Sequence, residues 1–278
     1  MRFPIPFTKM SGSGNDFIVI DHREPFLDRE RLASFAKAVC RRKFSVGADG
    51  LILIETDSEA DFAWTFLNAD GSVAEMCGNG ARCAARFAYL NGIAPASMRF
   101  KTLAGIIAAE IIGDNVKLRM TAPNALELGK RLAVAGNDLE IHSLNTGVPH
   151  AVVFSDNASK VPVFDWGRAI RRHAHFQPAG TNANFAQVLG PQELHVRTYE
   201  RGVEDETMAC GTGAVAAAII AALTGRVSPP VKVITSGGEP LVIHFAMPDA
   251  GQPVREVYLE GAARVIYQGQ LHQEAIAG

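Results

Sequence analysis

A single offset of 133 residues superimposes the two halves of this 278-residue chain on each other. It carries Gly14 to Gly147, Gly47 to Gly180, Thr65-Phe66 to Thr198-Tyr199, and Cys77-Gly78 to Cys210-Gly211. The same step takes Gly80-Ala81 to Gly213-Ala214, and Thr102 with Gly105 to Thr235 with Gly238. The marks keep their order, and self-similarity at one period is the signature of a repeated structural unit. Among 26 glycines some align by accident, but the cysteine-centred match falls in the same register. Two similar domains are therefore expected, and a site on their pseudo-dyad should draw one like group from each. Cys77 and Cys210 are the cysteines that the repeat pairs.

Each half reads as mixed α and β. Phe17-Ile-Val-Ile20 and Leu51-Ile-Leu-Ile54 are short runs of strand formers, and Asp28 to Val39 carries apolar residues at helical spacing behind a capping Asp. In the second half Ala151-Val-Val-Phe154 and Asn184-Phe-Ala-Gln-Val-Leu189 predict strands, with a helix from about Asp165. Strand patterns follow both cysteine segments, at Ile106 to Met120 and Val231 to Phe245. Ala214 to Leu223 is apolar nearly all round, as in a helix packed on every side, so a sheet is expected to wrap it. Asn91-Gly92 and Thr224-Gly225 supply the stops of the two cysteine helices. The crossing between halves is placed near Thr121-Ala-Pro-Asn124, giving domains 1–121 and 122–261, with 262–278 returning to the first.

Composition narrows the partners. With 47% hydrophobic and 20% charged residues the chain reads as a soluble globular protein, and its net charge of -2 exerts no general pull on nucleic acid or an anionic membrane. No apolar stretch is long enough to span a bilayer, and the Met1-Arg-Phe-Pro-Ile-Pro-Phe7 start lacks a signal-peptide layout, so a cytoplasmic location is expected. Four cysteines are too sparse for a disulfide scaffold and are expected as thiols.

Cys77-Gly-Asn-Gly-Ala81 and Cys210-Gly-Thr-Gly-Ala214 each place a thiol before a Gly-x-Gly turn that opens a helix. Helix starts offer unpaired N–H groups and the positive end of the macrodipole, which hold a carboxylate and lower the pKa of a nearby thiol. Two such turns on one substrate suit inversion of an amino-acid stereocentre. One sulfur, as thiolate, removes the α-proton while the other returns one from the opposite face, and N–H donors take up the carbanion's charge. Cys40 and Cys83 read as buried apolar residues, and their spacings match no common zinc pattern.

The segment Asn68-Ala-Asp-Gly-Ser-Val-Ala-Glu-Met-Cys-Gly-Asn-Gly-Ala-Arg82 resembles the signature of the diaminopimelate epimerases. Lys9-Met-Ser-Gly-Ser-Gly-Asn-Asp-Phe17, Tyr199-Glu-Arg-Gly-Val203 and Ala209-Cys-Gly-Thr-Gly213 are similar to other parts of that family, so the resemblance runs from about residue 8 to Tyr267. It implies an α+β fold of two pseudo-symmetric domains, each a β-barrel-like sheet wrapped around a central helix, with the site in the cleft between them. It implies interconversion of LL- and meso-diaminopimelate on the way to lysine and peptidoglycan, without pyridoxal phosphate, other cofactor or metal. The implied catalytic pair is Cys77 and Cys210. Gly78, Asn79, Gly211 and Thr212 are implied to hold the reacting carboxylate, and Asn15, Asn68, Asn182 and Arg201 to surround the rest of the substrate. His150 and Glu200 are implied to bind the substrate amine or tune the thiols, and Tyr267 to make a homodimer contact. Read without the family, His150 after Pro149 is equally a loop histidine, and Tyr267 an ordinary half-buried strand residue. Gly50 and Val148 stand where some relatives carry a glutamine and an asparagine.

The competing readings are a same-fold racemase of another amino acid, such as histidine or hydroxyproline, a pyridoxal-phosphate racemase, and a non-enzymatic thiol redox or binding protein. No lysine sits in a convincing setting for the second of these.

Overall fold

The computed structural model describes residues 2–249 and 252–277. It divides into two compact units, one of Met1–Leu118 with Gly261–Gly278 and the other of Arg119–Glu260. Both are mixed α+β.

The first unit contains β1 (Ile5–Gly12), β2 (Asn15–Asp21), α1 (Arg29–Val39), β3 (Gly50–Glu55), β4 (Phe62–Asn68), α2 (Gly78–Leu90), β5 (Ser97–Thr102), β6 (Gly105–Ile112) and β7 (Asn115–Arg119). Antiparallel pairs β1–β2, β3–β4, β5–β6 and β6–β7 are joined by parallel pairs β2–β3 and β4–β5. Parallel neighbours need a crossover, supplied here by α1 and α2 respectively. The C-terminal strand Arg264–Leu271 pairs antiparallel with β1.

The second unit repeats this plan with β8 (Asn124–Val134), β9 (Asn137–Asn145), β10 (Pro149–Phe154), α3 (Val163–Arg172), β11 (Asn182–Gly190), β12 (Glu193–Glu200), β13 (Asp205–Thr207), α4 (Gly211–Leu223), β14 (Val231–Thr235), β15 (Pro240–Ala246) and β16 (Arg255–Ala262), whose last two residues, Gly261 and Ala262, belong to the first unit. The parallel pairs are β10–β11, crossed by α3, and β12–β14, crossed by α4. α2 and α4 have the same 13-residue length and begin 133 positions apart. Gly14 and Gly147, Gly47 and Gly180, Gly92 and Gly225, and Gly105 and Gly238 all take positive φ, so the backbone turns of the repeat are shared as well as its letters.

Alternation along the strands of the second unit sends successive side chains to two cores. Val152, Ala186, Leu194 and Val196 pack against α4, while Ala151, Val153, Ala183, Phe185 and Tyr199 form the layer that includes Val163 and Ile170 of α3. Residues Gly213 to Ala222 of α4 are all buried, as its all-round apolar sequence predicts. β3, covered on both faces, is apolar at each position from Leu51 to Ile54 for the same reason.

Local expectations fare unevenly. Asn91 and Thr224 close the two cysteine helices as expected. Asp28 occupies the N-cap of α1, but its side chain makes no capping bond. The helix expected from Asp165 starts at Val163 behind Pro162, since proline at a helix entrance gives up an N–H that has no intrahelical partner. No helix among the described residues is long and apolar enough to cross a membrane.

Candidate active site

The residues singled out above fall into two sets, one in each unit. In the first unit Cys77 is the N-cap of α2, with an extended backbone (φ -147, ψ 117). Its carbonyl accepts from Ala81 N at 2.8 Å, so the first-turn N–H groups behind the thiol have no partner within the helix. Two residues on, Asn79 is buried and oriented from both ends. Its Oδ1 accepts from Arg82 Nη2 at 2.8 Å, and its Nδ2 donates to Asn15 Oδ1 at 2.8 Å. Asn15 Nδ2 then donates to Asp49 Oδ2 at 3.0 Å.

This chain of amides runs from a buried cation to an acidic cluster. Arg82 is fully buried and also donates to the Ser13 hydroxyl at 2.7 Å, Gly78 O at 3.4 Å and Ala262 O at 3.3 Å. Asp49 and Asp16 share Arg42, and Lys9 reaches Asp16 at 2.7 Å. Burial disfavours charge on the Asp16 carboxyl, but the bonds from Arg42 and Lys9 prevail and hold it below the usual range. Asn68, half-buried at the end of β4, donates to Ser72 Oγ at 2.9 Å. It lies opposite Gly50, where a Cβ would fall 2.6 Å from the Phe66 ring and 2.8 Å from Leu67 O. Phe66 therefore fills the space that a longer side chain at position 50 would require.

In the second unit Cys210 is the N-cap of α4. Its Sγ lies 3.6 Å from Thr212 Oγ1, which lies 2.9 Å from His150 Nε2. The far ring nitrogen, Nδ1, is 3.2 Å from Asn184 Nδ2. His150 lies in β10 and is 1% exposed, so the reading of a loop histidine is corrected. Parallel pairing of β10 with β11 sets His150 opposite Asn182 and carries the ring into the interior. Burial first, and then the nearby Arg201 charge, push its pKa down to about 3, leaving a neutral imidazole.

A helix start was expected to lower the thiol pKa, and at Cys210 that effect is outweighed. Burial, with the Glu200 charge adding to it, pushes the thiol up to about 12, against the Thr212 hydroxyl and the N–H groups of Gly213 and Thr212. Part of the Cys210 surface remains open to solvent, which moderates that rise. Glu200 is itself shifted up by burial, although Thr207 Oγ1 donates to it at 2.9 Å. Cys40 and Cys83 are buried thiols, both pushed up to about 12 by desolvation, in keeping with their reading as apolar filling.

Asn182 and Arg201 are tied to the backbone. Asn182 donates to Pro149 O at 3.0 Å and accepts from Arg201 N at 2.8 Å, while Arg201 Nη1 donates to Ala179 O at 2.9 Å. Tyr267 lies on the Arg264–Leu271 strand, 45% exposed, with its ring edge-on to Phe7 at 5.9 Å. Among the described residues no three His, Cys, Asp or Glu side chains group closely enough to hold a metal ion.

Contributors that escaped the sequence reading include Asn184, Asp49 and, as a role, Arg82. Asn184 did carry a signal, a polar residue between the apolar Ala183 and the Phe185-Ala186 pair of a strand, for which burial requires a partner.

The sequence profile of the family described as Diaminopimelate epimerase matches residues 7–126 and 142–266. The diaminopimelate epimerase of Aquifex aeolicus is 49% identical over 281 residues, covering 97% of this chain and 99% of that protein. That of Methanocella arvoryzae is 41% identical, covering 96% of each. Among solved structures, a Bacillus anthracis phenazine biosynthesis protein of the PhzF family superposes with a TM-score of 0.71 at 15% identity, covering 98% of this chain and all of the other. A hydroxyproline epimerase from Agrobacterium vitis, solved with trans-4-hydroxy-L-proline, superposes with a TM-score of 0.64 at 16% identity, covering 99% and 94%. At such identities the likeness is one of fold.

Proposed function

This chain belongs to the diaminopimelate epimerase family, and from that premise we propose that it interconverts LL- and meso-2,6-diaminopimelate with Cys77 and Cys210 as its two acid–base groups. The observation that carries the reading is the pair of cysteine turns, each cysteine standing at the N-cap position of a 13-residue helix of the same register in its own unit. Inverting a stereocentre by proton transfer takes a base on one face of the carbon and an acid on the other. A duplicated fold supplies the same side chain twice.

In this mechanism one sulfur, as thiolate, removes the α-proton. The carbanion's charge spreads into the carboxylate, where N–H groups of the Gly78-Asn79 and Gly211-Thr212 turns receive it. The other sulfur, as thiol, gives its proton to the opposite face and is left as thiolate. Burial and the Glu200 charge favour the protonated form of Cys210, which suits it to the part of the acid. Asn15, Asn68, Asn182, Glu200 and Arg201 line the substrate, directly or by fixing the backbone that does. Two thiols cover both proton transfers, so the reaction as read uses neither pyridoxal phosphate nor a metal. Thiol chemistry suits a reducing cytoplasm, and the exposed apolar run Val265-Ile266-Tyr267 supports a homodimer.

Incubating the protein with LL-diaminopimelate in deuterated water, with no cofactor added, tests this. Solvent deuterium should appear at one α-carbon, and Cys77→Ala or Cys210→Ala should each slow its appearance by roughly a thousandfold, the scale of acid–base catalysis. Unlabelled substrate after prolonged incubation, or full activity without either sulfur, sinks the reading.

A further inference from the structure

The hydrogen bonds around Cys210 have a direction, and it can be followed from an unambiguous anchor. A backbone carbonyl only accepts, so Asn184 must present its NH2 nitrogen to Ala151 O, at 2.9 Å. Its Oδ1 correspondingly accepts from Thr198 Oγ1 at 2.9 Å. The same NH2 nitrogen is 3.2 Å from His150 Nδ1, which must then offer a lone pair. A neutral imidazole with Nδ1 as acceptor carries its proton on Nε2, and Nε2 is 2.9 Å from Thr212 Oγ1. With its oxygen accepting from His150, the Thr212 hydroxyl hydrogen is free to point to Cys210 Sγ, 3.6 Å away.

We propose that Asn184 is a positioning residue: by fixing the Nε2–H tautomer of His150, it aims an Asn184–His150–Thr212 series of donors at the sulfur of Cys210. The inference rests on the reading of Cys210 as an acid–base group. When the Cys210 S–H bond breaks and its proton goes to the substrate carbanion, the electron pair stays on sulfur as a thiolate. The Thr212 hydroxyl already faces that charge, and needs no reorganisation to stabilise it. No proton moves along the series; each member only keeps the next one turned.

The packing is built for this. Asn184, His150 and Thr198 are at most 3% exposed, so the amide and the ring are held inside the protein, while Thr212 and Cys210 are half-buried at the end of the series. A Cβ on Gly213 would lie 2.3 Å from Asn184 Oδ1 and 3.3 Å from Cys210 Sγ, so the helix can approach Asn184 closely only with glycine at that position. The charged groups that bear on the series are Arg201, which opposes a proton on His150, and Glu200, which opposes a thiolate at Cys210.

The first test reads the tautomer directly. Nitrogen-15 NMR of histidine-labelled protein, with His150 assigned by its loss in His150→Gln, should show a neutral Nε2–H ring that persists from pH 8 to pH 5. In Asn184→Leu that single tautomer should be lost. Alkylation of Cys210 by iodoacetamide at fixed pH, followed by mass spectrometry, should slow about tenfold, the cost of one charge-assisted hydrogen bond. Thr212→Val should slow alkylation by a similar factor while Thr212→Ser restores it, which keeps the test decisive should Asn184→Leu fail to fold. An Nδ1–H ring in the unmodified protein, equal alkylation in folded Asn184→Leu, or identical behaviour of Thr212→Val and Thr212→Ser overturns the proposal. Tautomer and alkylation are read without diaminopimelate, so failure of the deuterium experiment leaves them standing and failure here leaves the proposed reaction standing.

Discussion

The two cysteine turns share one backbone and surround it with opposite chemistry. Behind Cys77 lie a buried guanidinium, Arg82, and a series of amides ending on Asp49. Behind Cys210, among the described residues, no buried cation takes that part; Val215 occupies the place of Arg82, and a neutral series of Asn184, His150 and Thr212 leads to the sulfur. At the offset of 133 the members of that series fall on Leu51, Phe17 and Asn79, and Glu200 falls on Leu67. Duplication thus preserved the helix start and the thiol, while the side chains within reach of each thiol diverged. An acid and a base that exchange roles need the same geometry, but they need not have the same electrostatic surroundings.

The contrast is most severely tested at Arg82. Arg82→Leu should remove the buried charge behind the first turn, as in the second, yet leave Asn79 Oδ1 and Ser13 Oγ without this donor. A loss of about 3 kcal/mol in urea unfolding is expected, since breaking a buried charged network leaves its partners unsatisfied. A change below about 1 kcal/mol would mean that the buried cation is not needed to hold the first turn.

Next in size is a pair of equivalent glycines. Gly213→Ala should cost about 2 kcal/mol, because its Cβ meets the fixed Asn184 amide at 2.3 Å. Gly80→Ala should cost less than about 1 kcal/mol, because its nearest neighbour is the movable end of Ile52 at 3.3 Å and helix propensity favours alanine. Equal losses in thermal melts would remove the asymmetry.

The acid limb of stability sharpens the comparison further, since Phe17 in the first unit cannot titrate where His150 can. Burial holds His150 neutral, with a pKa near 3 when folded against 6.5 ordinarily. Its contribution is therefore complete above about pH 6.5 and drains away as pH falls from there toward 3, by up to about 1.4 kcal/mol per pH unit. His150→Gln should flatten the unfolding free energy across that window by comparison with the unmodified chain; parallel curves would show that the ring is charged or exposed.

The smallest effect is expected at Cys83, whose counterpart in the second unit is Ala216. Cys83→Ala should leave deuterium incorporation unchanged and lower stability by no more than about 1 kcal/mol, the cost of one small buried atom. A large drop in activity would give this buried thiol a part in the chemistry.

The chain's own letters were sufficient for its plan. The period, the paired cysteines, the all-round apolar helix at Ala214–Leu223 and the helix stops at Asn91-Gly92 and Thr224-Gly225 could be read because each follows from local periodicity or from backbone preferences of single residues. The contacts of Asn184 could not, since they join β10, β11, β12 and α4, and nothing local indicates which buried polar atoms will meet. His150 shows the same limit, reading as a loop residue after Pro149 until strand pairing draws it inside. The helix dipole behind Cys210 was foreseeable, but its defeat by burial was not, because desolvation depends on everything packed around the sulfur and the dipole only on the helix that begins there.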